Sequence, residues 1–197
     1  MHSSLFSLLV IAASALAGSV LPPAPANSTS LDTHVAPITA NISGSWDGLA
    51  VAINASDVTT KEKADKFKTK AVQLNTLIIQ ATDSIKTGHR KVVVTEVTVV
   101  IQTLRTIETT VKKTVDGYEA RTRDRTKVLS VLVEIGASIK TNLRDLFAFL
   151  DALEAASPSR QLKATIKAVR ASFQSDHVRT TNSLQTANTM LAAQSNI

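Results

Sequence analysis

The sequence predicts an all-α protein, an antiparallel bundle of about five long amphipathic helices. Three observations predict it. Apolar residues recur in steps of three and four through segments much longer than an ordinary strand. The connections between those segments are short, which favours antiparallel neighbours. The single β-branched run that locally resembles a strand has no partner strand elsewhere in the chain.

The first helical segment spans about Leu31 to Ala55, with Leu31, Val35, Ile38, Ile42, Trp46, Leu49 and Ile53 on one seam. Pro37 is expected to start or kink it, and Gly44 and Gly48 to weaken it around Trp46, the sole tryptophan, which reads as a core anchor. A loop at Ser56 to Thr60 follows, with Thr59 and Glu62 at capping-box spacing. The second helix then carries Ala64, Phe67, Ala71, Leu74, Ile78, Ala81 and Ile85 on one face and ends near Gly88. Its outer face opens with Lys61, Lys63, Lys66, Lys68 and Lys70, read as a solvated face.

The third segment, Lys91 to Ala120, contains VVVTEVTVVI. Val93, Val97, Val100, Leu104, Ile107, Val111 and Val115 nevertheless keep helical spacing beyond the length of a strand, which predicts a helix. A charged connector, Arg121 to Lys127, leads to the fourth helix, Val128 to Ala155. This helix has the strongest seam: Val128, Leu132, Ile135, Ile139, Leu143, Leu146, Leu150 and Leu153, widened by Leu129, Phe147 and Phe149. Ser157-Pro158-Ser159 ends it and starts the fifth helix, whose seam is Leu162, Ile166, Val169, Phe173, Leu184, Ala187 and Leu191. Asp176, His177 and Thr180 interrupt that seam. Because a buried charge is costly unless paired, the interruption is read as a turn that faces solvent or frays.

The N-terminal region reads as an export signal, residues 1–17. No charged side chain occurs from Met1 to Ala17, Leu5 to Ala13 is apolar, and Ala15-Leu16-Ala17 supplies the small residues of a cleavage site. The apolar run is too short to span a bilayer comfortably, and no second run of membrane length follows. Residues 18–30 form a Pro/Ser/Thr-rich leader, and residues 31–197 the helical-bundle domain. The ending Gln194-Ser195-Asn196-Ile197 lacks the apolar terminus of a lipid-anchor signal. A secreted protein, extracellular or cell-wall associated, is therefore expected. Sequons at Asn27, Asn41 and Asn54 fit that compartment, Asn27 best because it lies in the leader.

No catalytic constellation is legible. Cysteine is absent, which excludes disulfides, thiolate ligands and a cysteine nucleophile. None of the four histidines belongs to a metal-binding pair at helical spacing. Gly44-Ser45-Trp46-Asp47-Gly48 is no nucleophile elbow, and no phosphate or dinucleotide loop occurs. The carboxylate pairs Glu119/Asp124 and Asp145/Asp151 read as exposed helical residues. The chain is expected to be non-enzymatic and to use no cofactor or metal. Its formal charge of +6 tolerates anionic partners but is too diffuse to indicate nucleic acid.

The run Ile38-Thr-Ala-Asn-Ile42 followed by Trp46 to Ala55, with the later Ala71-Val-Gln-Leu74 and Leu77 to Ile85, resembles the opening helices of the fungal hydrophobic surface-binding protein A family, which includes cell-wall galactomannoproteins. The resemblance extends as a pattern over about Leu31 to Ala193. It implies a secreted, helical, non-catalytic protein. Members of that family adsorb to hydrophobic surfaces, where some recruit polyester-degrading hydrolases, and some wall members hold fatty acids inside a helical bundle. The Asp176-His177 interruption and the Val/Thr-rich third helix have no counterpart in that pattern, and the missing lipid-anchor tail points away from the anchored wall members.

Two functions are expected to compete. In the first, the bundle binds a fatty acid or other lipid, or a hydrophobic surface, through seam residues such as Phe67, Ile78, Leu104, Leu143, Leu146, Leu150 and Phe173. In the second, it is an interaction protein of the cell wall or host interface, using its basic surface toward wall polysaccharide or a secreted hydrolase, without a lipid cavity. The seams alone do not separate a closed bundle from one that encloses a cavity or opens on a surface.

Overall fold

The computed structural model describes residues 35–55, 60–87, 97–124, 129–157 and 159–194. The expected signal and leader, Asn27, Thr59 and the Val93 end of the β-branched run lie outside them. Among the described residues five helices follow one another: α1 Val35–Asn54, α2 Lys61–Thr87, α3 Val97–Arg123, α4 Leu129–Ala156 and α5 Arg160–Gln194. Among the described residues there is no strand.

Local chemistry accounts for the boundaries. Pro37 falls in the first turn of α1, where its missing N–H costs nothing. α1 then runs unbroken through Gly44 and Gly48, which lower its helix propensity without interrupting it. Packing of Ile42, Trp46, Leu49 and Ile53, all fully buried, outweighs the propensity deficit of two glycines. Thr60 caps α2: its hydroxyl accepts from the Lys63 N–H at 3.4 Å and its carbonyl from the Ala64 N–H at 3.0 Å. Ser159 does the same for α5, accepting from the N–H groups of Leu162 and Lys163. α3 continues through Arg123, so the first residues of the expected connector are helical.

Threonine would ordinarily weaken such helices. Here its hydroxyls turn back on the helix: Thr103, Thr106, Thr109, Thr110, Thr114 and Thr122 of α3 each donate to the carbonyl four residues earlier. That bond satisfies the hydroxyl within its own helix, which is how Thr110, Thr114 and Thr122 can be buried.

Successive helices alternate in direction, yet sequence neighbours are not always the main partners: the most extensive pairings are α1 with α3 and α4 with α5, followed by α2 with α4. α3 packs between α1 and α5, and α2 packs on α4; α1–α2 and α4–α5 contacts join the two layers, while α3 touches α4 over a shorter stretch. Lys68 with Glu134 and Asn75 with Asp145 show that α2 and α4 run parallel. Asp151–Arg170 and Glu154–Lys167 show α4 and α5 antiparallel. The result is a closed ring of helices, three in one layer and two in the other, around one core that all five line.

One expectation about α5 is overturned. The turn at Asp176 neither faces solvent nor frays: α5 is continuous from Arg160 to Gln194, Asp176 is 4% exposed and Thr180 is fully buried. Arg179, one turn further on, neutralises the carboxylate, so the cost of burying it is partly offset.

Candidate functional site

The seven candidate lipid-contact residues come together. Phe67 and Ile78 of α2, Leu104 of α3, Leu143, Leu146 and Leu150 of α4, and Phe173 of α5 are all buried in the same continuous core. The core is mainly aliphatic and runs along the helices, with Trp46 contributed by α1 as expected. Larger apolar side chains that remain exposed, Val51, Val72, Ile79, Val99 and Val178, are scattered over four helices.

The core is not uniformly apolar. Tyr118 Oη on α3, Asn142 Nδ2 on α4, Asp176 Oδ2 and Thr181 Oγ1 on α5, and Trp46 Nε1 on α1 are buried without a hydrogen-bond partner among the described residues. The register of α4 against α5 sets Asn142 opposite the turn that holds Asp176 and Thr180. Gly136 of α4 lies beside both Tyr118 and Leu184, one to two turns away along the same interface. The polar groups of α3, α4 and α5 therefore form a band one to two turns deep within the core.

At the rim of this band, Arg179 fastens α5 to α3. Its Nε and Nη2 donate to the two carboxylate oxygens of Glu119 at 3.0 and 2.8 Å, Nη2 also donates to Asp116 at 2.6 Å, and Nη1 donates to Asp176 Oδ1 at 3.0 Å. The arrangement shifts each partner. The Arg179 guanidinium is held charged, chiefly by its bonds to Glu119 and Asp116. Burial pushes the Asp176 carboxyl up, against the pull of Arg179. Burial acts on Asp116 in the same sense, but the bond and charge of Arg179, helped by Lys112, bring it below its ordinary value. Burial alone raises the Tyr118 phenol far above its ordinary value.

His177, beside this turn, is half-buried and packs edge-on against Phe147, ring centroids 5.7 Å apart. Arg170 stacks over the same ring at 5.5 Å. Burial, with the positive charge of Lys140, lowers the His177 pKa. Among the described residues no group of three or more His, Asp or Glu side chains is arranged to hold a metal ion, and no helix is long and apolar enough to cross a membrane.

Comparison with protein-family models, with curated proteins and with solved structures found no match.

The remaining candidates lie outside the core. Asn41 is exposed on α1, and Asn54, its last residue, spends its amide on a bond to the Ala50 carbonyl at 2.8 Å. Lys66 and Lys68 of the lysine run pair with Glu62 and Glu134. The carboxylates Glu119 and Asp145, expected to be exposed, are only 18% and 19% accessible because they reach across to other helices or neighbouring cations. Tyr118, Asn142 and Arg179 carry no distinctive sequence signal. The break at Asp176 and Thr180 was the one visible sign of the polar band.

Proposed function

We propose that this protein is a secreted, non-catalytic binder of amphiphilic lipids, which holds an acyl chain among its helices. The observation that carries the reading is one aliphatic core that runs lengthwise through the five described helices and contains a band of buried polar atoms without hydrogen-bond partners among the described residues. An amphiphile combines those two chemistries, a long apolar tail and a compact polar head. Buried polar atoms without partners are rare in native structures and call for a water, ion or ligand group. The resemblance of the α1 and α2 segments to the fungal hydrophobic surface-binding family supports the same reading, including the extracellular or cell-wall location.

Native mass spectrometry of the purified protein before and after lipid extraction tests it. A discrete adduct of acyl-lipid mass that returns on titration is the expected result. A protein that stays bare yet coats hydrophobic beads would replace internal binding with adsorption.

A second reading, a wall or host-interface protein acting through its basic surface, draws on the exposed Lys61, Lys66 and Lys70 along α2. Steep salt dependence of polysaccharide binding by a lipid-free protein would favour it.

A further inference from the structure

We propose that the polar band at Asp176 and Asn142 is a head-group subsite that selects lipids bearing a neutral hydroxyl, such as fatty alcohols or monoacylglycerols, over ionised fatty acids. The inference rests on the reading of the bundle as an internal lipid binder and adds the class of head group.

Asp176 stands on the core-facing stripe of α5 between Phe173 and Thr180, all of them buried. Its Oδ1 is occupied by Arg179, whereas Oδ2 is buried with no donor among the described residues. Asn142 of α4, 1% exposed, presents the opposite deficit: its Nδ2 donors have no acceptor among the described residues. The antiparallel register fixed by Asp151–Arg170 and Glu154–Lys167 brings residue 142 level with the Asp176 turn. An unfilled acceptor and an unfilled donor thus share one level of the core on adjoining helices. A hydroxyl is at once a donor and an acceptor, and so complements both.

A carboxylate suits this place poorly. It brings acceptors and no donor, so it leaves Asp176 Oδ2 unfilled. It also sets a second negative charge beside the first, in surroundings where water screens little. Arg179 is already committed to Glu119, Asp116 and Asp176, and so offers little to a further anion.

The test compares four probes of equal chain length on the wild-type protein at neutral pH: hexadecan-1-ol, its methyl ether, hexadecanoate and hexadecane, followed by quenching or shift of the single buried tryptophan, Trp46. The alcohol is expected to bind at least about tenfold tighter than the ether, which keeps the oxygen but has no donor, and tighter than hexadecanoate by a similar factor. Asp176→Asn and Asn142→Ala are each expected to shrink the alcohol-to-ether ratio toward one while hexadecane binding persists. The ether comparison needs no variant, so a variant that fails to fold does not spoil it.

Equal binding of alcohol, ether and acid would mean that water serves the band, and would overturn the head-group inference while sparing internal binding. Preference for hexadecanoate would overturn it in the same way. Failure of all four probes to bind would overturn both readings.

Discussion

The ring of Tyr118 on α3 lies across Gly136 on α4 so closely that its hydroxyl takes the place of a side chain. A β-carbon on Gly136 would stand 2.6 Å from Tyr118 Cζ, closer still to Oη, and 3.2 Å from Leu184 Cδ1. Three helices meet at this point, and the absence of a methyl group sets how near they approach. Gly136→Ala is therefore expected to destabilise the protein by about 1–3 kcal/mol, since overpacking exceeds the gain in helix propensity. Gly44→Ala is the contrasting case. Gly44 is exposed in α1, with nothing near its missing β-carbon, and the change should stabilise by about 0.5–1 kcal/mol. Urea denaturation midpoints of both variants check the pair.

The same ring allows a second test. Tyr118 Oη is buried without a partner among the described residues, so Tyr118→Phe removes a desolvated hydroxyl at little packing cost. The variant should be as stable as the parent or more stable, by up to about 1 kcal/mol. In combination with Gly136→Ala it should recover part of that variant's loss, a non-additivity read from a double-mutant cycle.

Arg121 closes the end of α1 from α3. Its Nε donates to the Ile53 carbonyl at 3.3 Å, and its Nη2 to the carbonyls of Asn54 and Ala55 at 2.9 and 3.0 Å. These are carbonyls that a helix terminus leaves unpaired. Arg121→Ala is expected to cost about 1–3 kcal/mol, and Arg121→Lys to recover only part because ammonium lacks the fork that spans three acceptors. Hydrogen exchange of the amides at 50–54 should accelerate in the alanine variant.

Asp176 gives the protein a pH dependence of definite sign. Its folded pKa is raised by burial, so the stabilisation from the protonated carboxyl is complete below the ordinary value of 3.8 and is lost as pH rises through the folded value. Asp116, whose folded pKa is lowered, acts in the opposite sense and loses its contribution as pH falls. The stability of the parent minus that of Asp176→Asn isolates the first effect and should fall with rising pH just above 3.8. A flat difference would show that Arg179 cancels the cost of burial.

Leu146 is 1% exposed, so Leu146→Ala should cost about 2–5 kcal/mol and leave a cavity in the core. If the core accommodates an acyl chain, added hexadecan-1-ol should raise the thermal midpoint of this variant more than that of the parent, since the chain fills the space the side chain left. Scanning fluorimetry across a concentration series measures the two shifts.

The helices and their buried faces were determined by the sequence itself, because a residue's side of a helix depends only on local geometry and the three-and-four spacing. Leu132 through Leu153 and Phe67 through Ile78 are buried as that spacing requires. The spacing does not say which helix covers which face. Pairings such as Lys68 with Glu134, or Arg121 with Ile53, join residues more than sixty positions apart, and short connections pointed to adjacent helices instead. The polar band was hidden for the same reason. On sequence alone a charge at Asp176 argued for solvent, because the energy of a buried carboxylate depends on its partners, and Arg179 is held in place by Glu119 and Asp116 of another helix. Gly136 carried no signal in the sequence; only the approach of Tyr118 makes it a requirement.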